Sequence, residues 1–167
     1  MGRIRIQPVT RADATDLING NTASQDYHLP WVTSFTDQPG FDQWFARTLT
    51  GSHVGLVARE VVSGRIVGVI NVTEIVRGAF QSAYLGYYGM VGFSRKGLMT
   101  EALNAAARYA FDDLGLHRME ANIQPENAAS IALVRRAGFK KEGFSPRYLC
   151  INGKWRDHER WALLADA

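Results

Sequence analysis

The residues best placed to do chemistry lie in "GFSRKGLMTEALNAAARYAF", Gly92 to Phe111, where a loop of glycine, serine and two adjacent cations runs into a periodic segment. Leu98, Met99, Ala102, Leu103, Ala106, Ala110 and Phe111 mark one apolar helical face. That face anchors the first turn on a sheet, and the free N–H groups and dipole of the turn favour an anion, commonly a phosphate. Gly92 and Gly97 let backbone come close, while Arg95 and Lys96 add charge. A pyrophosphate suits such a loop. Its spacing is neither a Walker A loop nor a dinucleotide fingerprint, so an ordinary strand-to-helix turn stays open as the alternative for the loop alone.

The remaining candidates are scattered. In "RMEANIQ", Glu120 and Asn122 project to one face of an alternating strand. Glu74 lies near the end of an earlier strand. Asn127 suits the N-cap of "NAASIALVRRAGF", and Gly138 suits its C′ position. The four histidines form no zinc pattern, so no metal is expected. The one cysteine, Cys150, cannot form an internal disulfide and reads as a small buried hydrophobe.

These residues need a frame, and the patterning supplies one. "RIRIQPVT" alternates as a strand; "TRADATDLING" reads as a helix capped by Thr10 and ending near Gly20. "DYHLPW" reads as an aromatic loop, and "GFDQWFARTLTG" as a short helix with Phe41, Trp44, Phe45 and Leu49 at helical spacing. "HVGLVARE", "GRIVGVINVTEIV" and "SAYLGYYGM" read as an antiparallel meander. After the glycine loop and its helix come the strand "RMEANIQ", the helix "PENAASIALVRRAGF", and the strands "KKEGFSPRYLC" and "HERWALLA" about a turn at "INGKW". Helices between strands require crossovers, so local parallel pairing is expected inside a largely antiparallel sheet.

Composition sets broader bounds. The 167 residues suit a single domain spanning 1–167, with 46% hydrophobic and 21% charged residues, ordinary for a soluble globular chain. No apolar run nears the ~18 residues that span a bilayer, and "MGRIRIQPVT" lacks a signal-peptide core. A cytoplasmic location is expected. The net charge of +3 suits an anionic ligand or a visit to a ribosome, but no nucleic-acid-binding motif accompanies it.

"SRKGLMTEALNAAARYAF" followed by "HRMEANIQPENAASIALVRRAGFKKEGF" resembles the two core motifs of the GNAT acyl-CoA N-acyltransferases. More narrowly, "VRGAFQSAYLGYY", "KGLMTEAL" and "INGKWRDHERWAL" resemble the RimJ/RimL-type branch, the ribosomal-protein alanine N-acetyltransferases. The similarity covers nearly the whole chain and is strongest from Val76 onward. It implies an α/β fold of α+β type: a mixed, mostly antiparallel sheet with flanking helices, whose fourth and fifth strands run parallel and splay apart. Acyl-CoA would lie in that gap, its pantetheine pairing with the fourth strand and its pyrophosphate resting on amides between Gly92 and Thr100. Cofactor contacts are thereby implied for Met90, Val91, Gly92, Ser94, Arg95, Lys96, Gly97, Leu98, Met99 and Thr100, and further on for Asn122, Asn127 and Ser130. The family loop usually opens on Gln or Arg, where this chain has Gly92. It usually has glycine where this chain has Arg95, which points to an uncommon backbone conformation or a reshaped loop.

The resemblance also implies direct attack of a neutral amine on the thioester of acetyl-CoA, with no acyl-enzyme. A backbone N–H near Met90 or Val91 would stabilise the oxyanion. Ser130 would protonate the departing thiolate, as RimL-type relatives place a Ser at this point of Asn-x-x-Ser, and the Tyr that many other relatives use one turn later is Val134 here; its bland reading is an ordinary first-turn serine. Glu120 and Glu74 are the candidate bases, each also readable as a solvated or ion-paired acid. His28, Trp31, Tyr84 and Tyr87 would wall the acceptor site. The implied acceptor is a protein N-terminal α-amino group, first that of a ribosomal protein starting in alanine. The alternatives are a small-molecule amine (amino acid, polyamine or antibiotic) and a non-catalytic acyl-CoA-binding module. A monomer or homodimer is expected.

Overall fold

The computed structural model describes residues 2–166. Strand β1 (Ile4–Pro8) leads through a short turn into helices α1 (Ala14–Ala23), α2 (Gln25–His28) and α3 (Gln38–Arg47). A meander follows: β2 (Val54–Glu60), β3 (Ile66–Val76) and β4 (Ser82–Gly89). Then come α4 (Leu98–Arg108), β5 (Arg118–Ile123), α5 (Ala128–Arg136), β6 (Lys140–Ile151) and β7 (Lys154–Leu164). The seven strands form one sheet in the order β1-β2-β3-β4-β5-β7-β6. Every neighbouring pair is antiparallel except β4 and β5, which α4 joins by the crossover that parallel pairing demands. No helix among the described residues is long and apolar enough to cross a membrane.

Strand alternation divides the core between the two faces of the sheet. Val57, Val67 and Val69 point to the side of α1 and α3, where they join Leu17, Phe41 and Trp44. Leu56, Ile70, Val72 and Met119 point to the other side, where Ala102, Leu103 and Ala106 of α4 and Val134 of α5 cover them. With both faces covered, β3 reads as a near-continuous apolar run.

Most expected boundaries hold within a few residues, and five details differ. The first helix runs past Gly20 to Ala23, and "DYHLPW" begins in the helical turn of α2. Helix α3 ends at Arg47, so Leu49 leaves the apolar face and lies 68% exposed. Cys150 is exposed rather than buried, because β6 is an edge strand and offers cover on one side only. Finally, β3 and β4 slip register between Thr73 and Val76, where Glu74 takes φ 50° in a bulge.

Candidate functional site

The site begins where one ladder stops. Strands β4 and β5 pair only from Ser82↔Arg118 to Tyr84↔Glu120. Beyond that point β4 stays with β3 as far as Gly89↔Gly68, and β5 stays with β7 as far as Ile123↔Glu159. Each strand follows its outer partner, and a wedge opens between them. Main-chain groups alternate sides along a strand. The Met90 N–H donates to the Val67 carbonyl of β3 at 2.8 Å, so Tyr87 and Gly89 turn theirs to the wedge. That edge of β4 can pair with an extended ligand.

At the wide end of the wedge lies the glycine loop. Gly97 at φ 74° is the N-cap of α4 and has no side chain to occupy the first-turn amides of Leu98, Met99 and Thr100. Arg95 takes φ 60°, the strained conformation expected where relatives have glycine. Gly92, Ser94, Arg95, Lys96 and Gly97 are exposed, while Phe93 and Leu98 are buried and hold the loop down. More cations gather than the local sequence indicates. Arg65 lies over the Phe93 ring at 5.0 Å, Lys96 over the same ring at 5.6 Å, and Arg136 donates to the Thr100 hydroxyl at 3.4 Å. Arg65 and Arg136 come from β2–β3 and α5, too far along the chain for any local motif to include them. Free amides, a helix dipole and clustered cations fit a pyrophosphate.

The two amides expected to hold an oxyanion are already engaged, which corrects that expectation. The Met90 N–H belongs to the sheet ladder, and the Val91 N–H donates to Ser24 Oγ at 3.1 Å. One turn after Ser24, His28 Nε2 meets the Gly89 carbonyl at 2.8 Å, and its Nδ1 meets Ser34 Oγ at 3.0 Å. A carbonyl only accepts, so Nε2 carries the hydrogen and Nδ1 accepts from the serine. His28 is buried against Tyr88 with both nitrogens satisfied. Burial lowers its pKa, partly offset by the bond to Gly89. It fastens the end of β4.

Tyr84 and Tyr87, expected to line one groove, lie three residues apart on a strand and therefore face opposite ways. Tyr87 joins the α4–α5 side, where its hydroxyl lies 2.6 Å from Ser130 Oγ and 3.3 Å from the Ser130 carbonyl. Burial pushes the Tyr87 phenol up to about 12, and the bond to Ser130 opposes that shift. Ser130 sits in the first turn of α5, where Asn127 acts as the cap by accepting from the Ser130 N–H at 3.3 Å.

Tyr84 lies on the open face with its hydroxyl 3.3 Å from Tyr148 Oη, a partner that the bulged sequence of β6 did not reveal. The bond to Tyr148, then burial, then the charges of Tyr148, Glu120 and Glu74 push Tyr84 up to about 12. Two carboxylates, Glu120 and Glu74, lie near Tyr84. The two differ. Glu120 is held by Arg118 at 3.0 Å and by a long 3.5 Å contact from Asn122 Nδ2, whereas Glu74 is exposed and forms no ion pair among the described residues. Glu74 lines a 440 Å³ hollow with Trp44, Arg47, His53, Asn71 and Thr73. Past the splay point, Asn122 Oδ1 is buried without a hydrogen-bond donor, a cost that an incoming N–H would remove. Trp31 lines a second hollow of 340 Å³ with Pro30, Gln124, Glu126, Ile151 and Arg156, at the end of β5. Among the described residues, no three His, Cys, Asp or Glu side chains converge as a metal site.

These features have counterparts in known proteins. The chain is 48% identical over 98 residues to the ribosomal protein uS5-alanine N-acetyltransferase of Escherichia coli, over 59% of this chain and 50% of that protein. It is 32% identical over 69 residues to a spermidine N(1)-acetyltransferase of Vibrio cholerae, over 41% of this chain and 40% of that one. The chain spans about half the length of the curated relatives it matches first. Its fold superposes on Mycobacterium smegmatis RimJ, solved in complex with CoA-disulfide, with a TM-score of 0.86 at 28% identity, covering 98% of this chain and 82% of that one. The family model described as acetyltransferase (GNAT) domain matches residues 3–140. A wedge between two parallel strands, with free amides at its mouth, is thus the property of a chain that belongs to the GNAT acetyltransferase family.

Proposed function

We propose that this protein transfers an acetyl group from acetyl-CoA to an N-terminal α-amino group of a protein, with a ribosomal protein starting in alanine as the first candidate. The observation that carries the reading is the wedge beyond Tyr84↔Glu120, with the unpaired edge of β4 on one wall and the bare first turn of α4 at its mouth. The pantetheine amides would pair with the main chain of Tyr87 and the N–H of Gly89, whose carbonyl His28 holds, and the diphosphate would take the amides of Leu98 to Thr100 together with Arg95 and Lys96. The thioester then lies between β4 and the start of α5.

An α-amino group with pKa near ~8 has a sizeable neutral fraction at physiological pH, about a fifth near pH 7.4. It needs little help from a base, which accords with Glu120 being held by Arg118. Solvent on the open face can take the proton, with Glu74 the freer carboxylate there. The amine nitrogen attacks the carbonyl carbon, an inward N–H of β4 steadies the oxyanion, and Ser130 donates to the sulfur as it leaves. Asn122 Oδ1, lacking a donor, can accept from the amine and orient it. The identity to the uS5-alanine enzyme favours a protein terminus.

A second reading, acetylation of a small polyamine, draws on the carboxylates Glu120 and Glu74 near Tyr84 and on the identity to the spermidine enzyme. Acetyl-CoA supplied with Ala-, Ser- and Met-starting peptides and with amine metabolites separates the readings by thiol release and product mass. Turnover on Ala peptides is expected. Turnover on polyamines alone would transfer the assignment to the second reading. CoA binding without turnover on any amine would leave an acyl-CoA-binding module.

A further inference from the structure

We infer that Tyr87 is a positioning residue for Ser130: across the wedge, its phenol orients the serine so that the serine proton points at the leaving sulfur. The inference rests on the transfer reading above. Tyr87 lies on β4 beyond the last rung shared with β5, and Ser130 opens the helix that follows β5. Their bond of 2.6 Å therefore joins the two walls where the backbone ladder no longer does. It lies at the short end of the range for O–H···O contacts.

Either hydroxyl could donate across this 2.6 Å contact, and we assign the donor role to the phenol. The Tyr87 hydroxyl also lies 3.3 Å from the Ser130 carbonyl, which can only accept. Oγ is the nearer of the two acceptors, and a phenol proton given to it leaves the serine's own proton for a third partner. Accepting one bond also strengthens the bond that Oγ donates, because successive hydrogen bonds polarise one another.

The chemistry is balanced without a proton from tyrosine. The amine nitrogen forms the new bond to the acetyl carbon, the C–S bond breaks, and its electron pair stays on sulfur. One proton leaves nitrogen for solvent and one reaches sulfur from Ser130 Oγ, which solvent reprotonates, so amide and thiol result and nothing is oxidised or reduced. A phenol pushed up to about 12 by burial is a weaker acid than a thiol near ~8.5. Tyr87 keeps its proton, and the Tyr87–Ser130 chain supplies a directed hydrogen bond while charge builds on sulfur.

The test compares Tyr87→Phe, Ser130→Ala and the double variant, with kcat and the KM for acetyl-CoA measured on the best amine acceptor. Tyr87→Phe is expected to lower kcat by about tenfold to fiftyfold, below the ~10²–10⁴-fold that a direct acid–base group contributes, with KM for acetyl-CoA within about twofold. The double variant is expected to be no slower than Ser130→Ala, because the phenol acts only through the serine. Circular dichroism and a thermal melt of Tyr87→Phe establish that it is folded. A wild-type kcat in folded Tyr87→Phe, or multiplicative losses in the double variant, would overturn the inference while leaving the transfer reading intact. A wild-type protein that turns over no amine would overturn both.

Discussion

His28 shows how much a single side chain can be misread from its type. In "DYHLPW" a histidine invites a role as base or substrate ligand, yet here it holds the Gly89 carbonyl and accepts from Ser34. With the last turn of β4 tied by His28 and Ser24, the inward N–H groups of Tyr87 and Gly89 are pre-set for an incoming carbonyl. The burial that lowers its pKa has a consequence for stability. The unfolded chain binds a proton at this site below about pH 6.5, while the folded chain resists it, so stability is full above that pH and falls as pH drops toward the folded value. The groups facing the ring are Ser34, Gly89 and the phenols of Tyr88 and Tyr27, none of them charged near neutral pH. Thermal melts from pH 7.5 to 5.5 are expected to show a declining Tm that flattens in His28→Gln. An equal slope in both proteins would assign the loss to other groups.

At the scale of the element, the loop between β4 and α4 combines a strained arginine with a glycine that cannot be replaced cheaply. A side chain at φ 74° costs about 1–2 kcal/mol, so Gly97→Ala is expected to lower stability by that amount and to weaken CoA binding as the first-turn amides shift. Arg95→Gly presents the opposite case. Relief of the strain at φ 60° is offset by the greater entropy of glycine in the unfolded chain, leaving Tm nearly unchanged. Loss of the cation is expected to weaken CoA binding about fivefold at low salt and to flatten its salt dependence. Calorimetric titrations at two ionic strengths measure both effects. Unchanged affinity at low salt would remove Arg95 from the phosphate site.

At the scale of the whole molecule, the wedge exists because β4 and β5 are each committed to a different outer partner. Covering both faces with helices fixes those commitments, since β3, β4 and β5 bury side chains of the shared core on the α4–α5 side. A ligand bridging the wedge replaces missing backbone partners and binds the folded state alone. CoA at about 100 times its Kd adds about 2.7 kcal/mol of stability, and for a chain of this size that corresponds to a rise in Tm of about 5–10 °C. Differential scanning fluorimetry with CoA and with a nucleotide lacking pantetheine separates occupancy of the wedge from occupancy of the loop. A shift from CoA no larger than that from the nucleotide would mean that β4 does not pair with the ligand.

The sequence by itself determined the elements and the anion loop, because both are written in short-range patterns. Period-2 alternation marks β5, period-3.6 spacing marks α4, and Gly92 to Thr100 hold loop and first turn within a few residues. Residues quoted from the two core motifs also carried the family and the splayed pair of strands. Only the tertiary structure decided which groups meet. Ser130 could be picked out as a first-turn serine, but its partner Tyr87 comes from another strand. Arg65 and Arg136 reach the loop from distant segments, and the Tyr148 contact with Tyr84 depends on a bulge in β6. Local pattern fixes which face a residue takes, whereas strand order and register fix what it faces. Strand order and register are long-range properties, set by packing across the whole sheet.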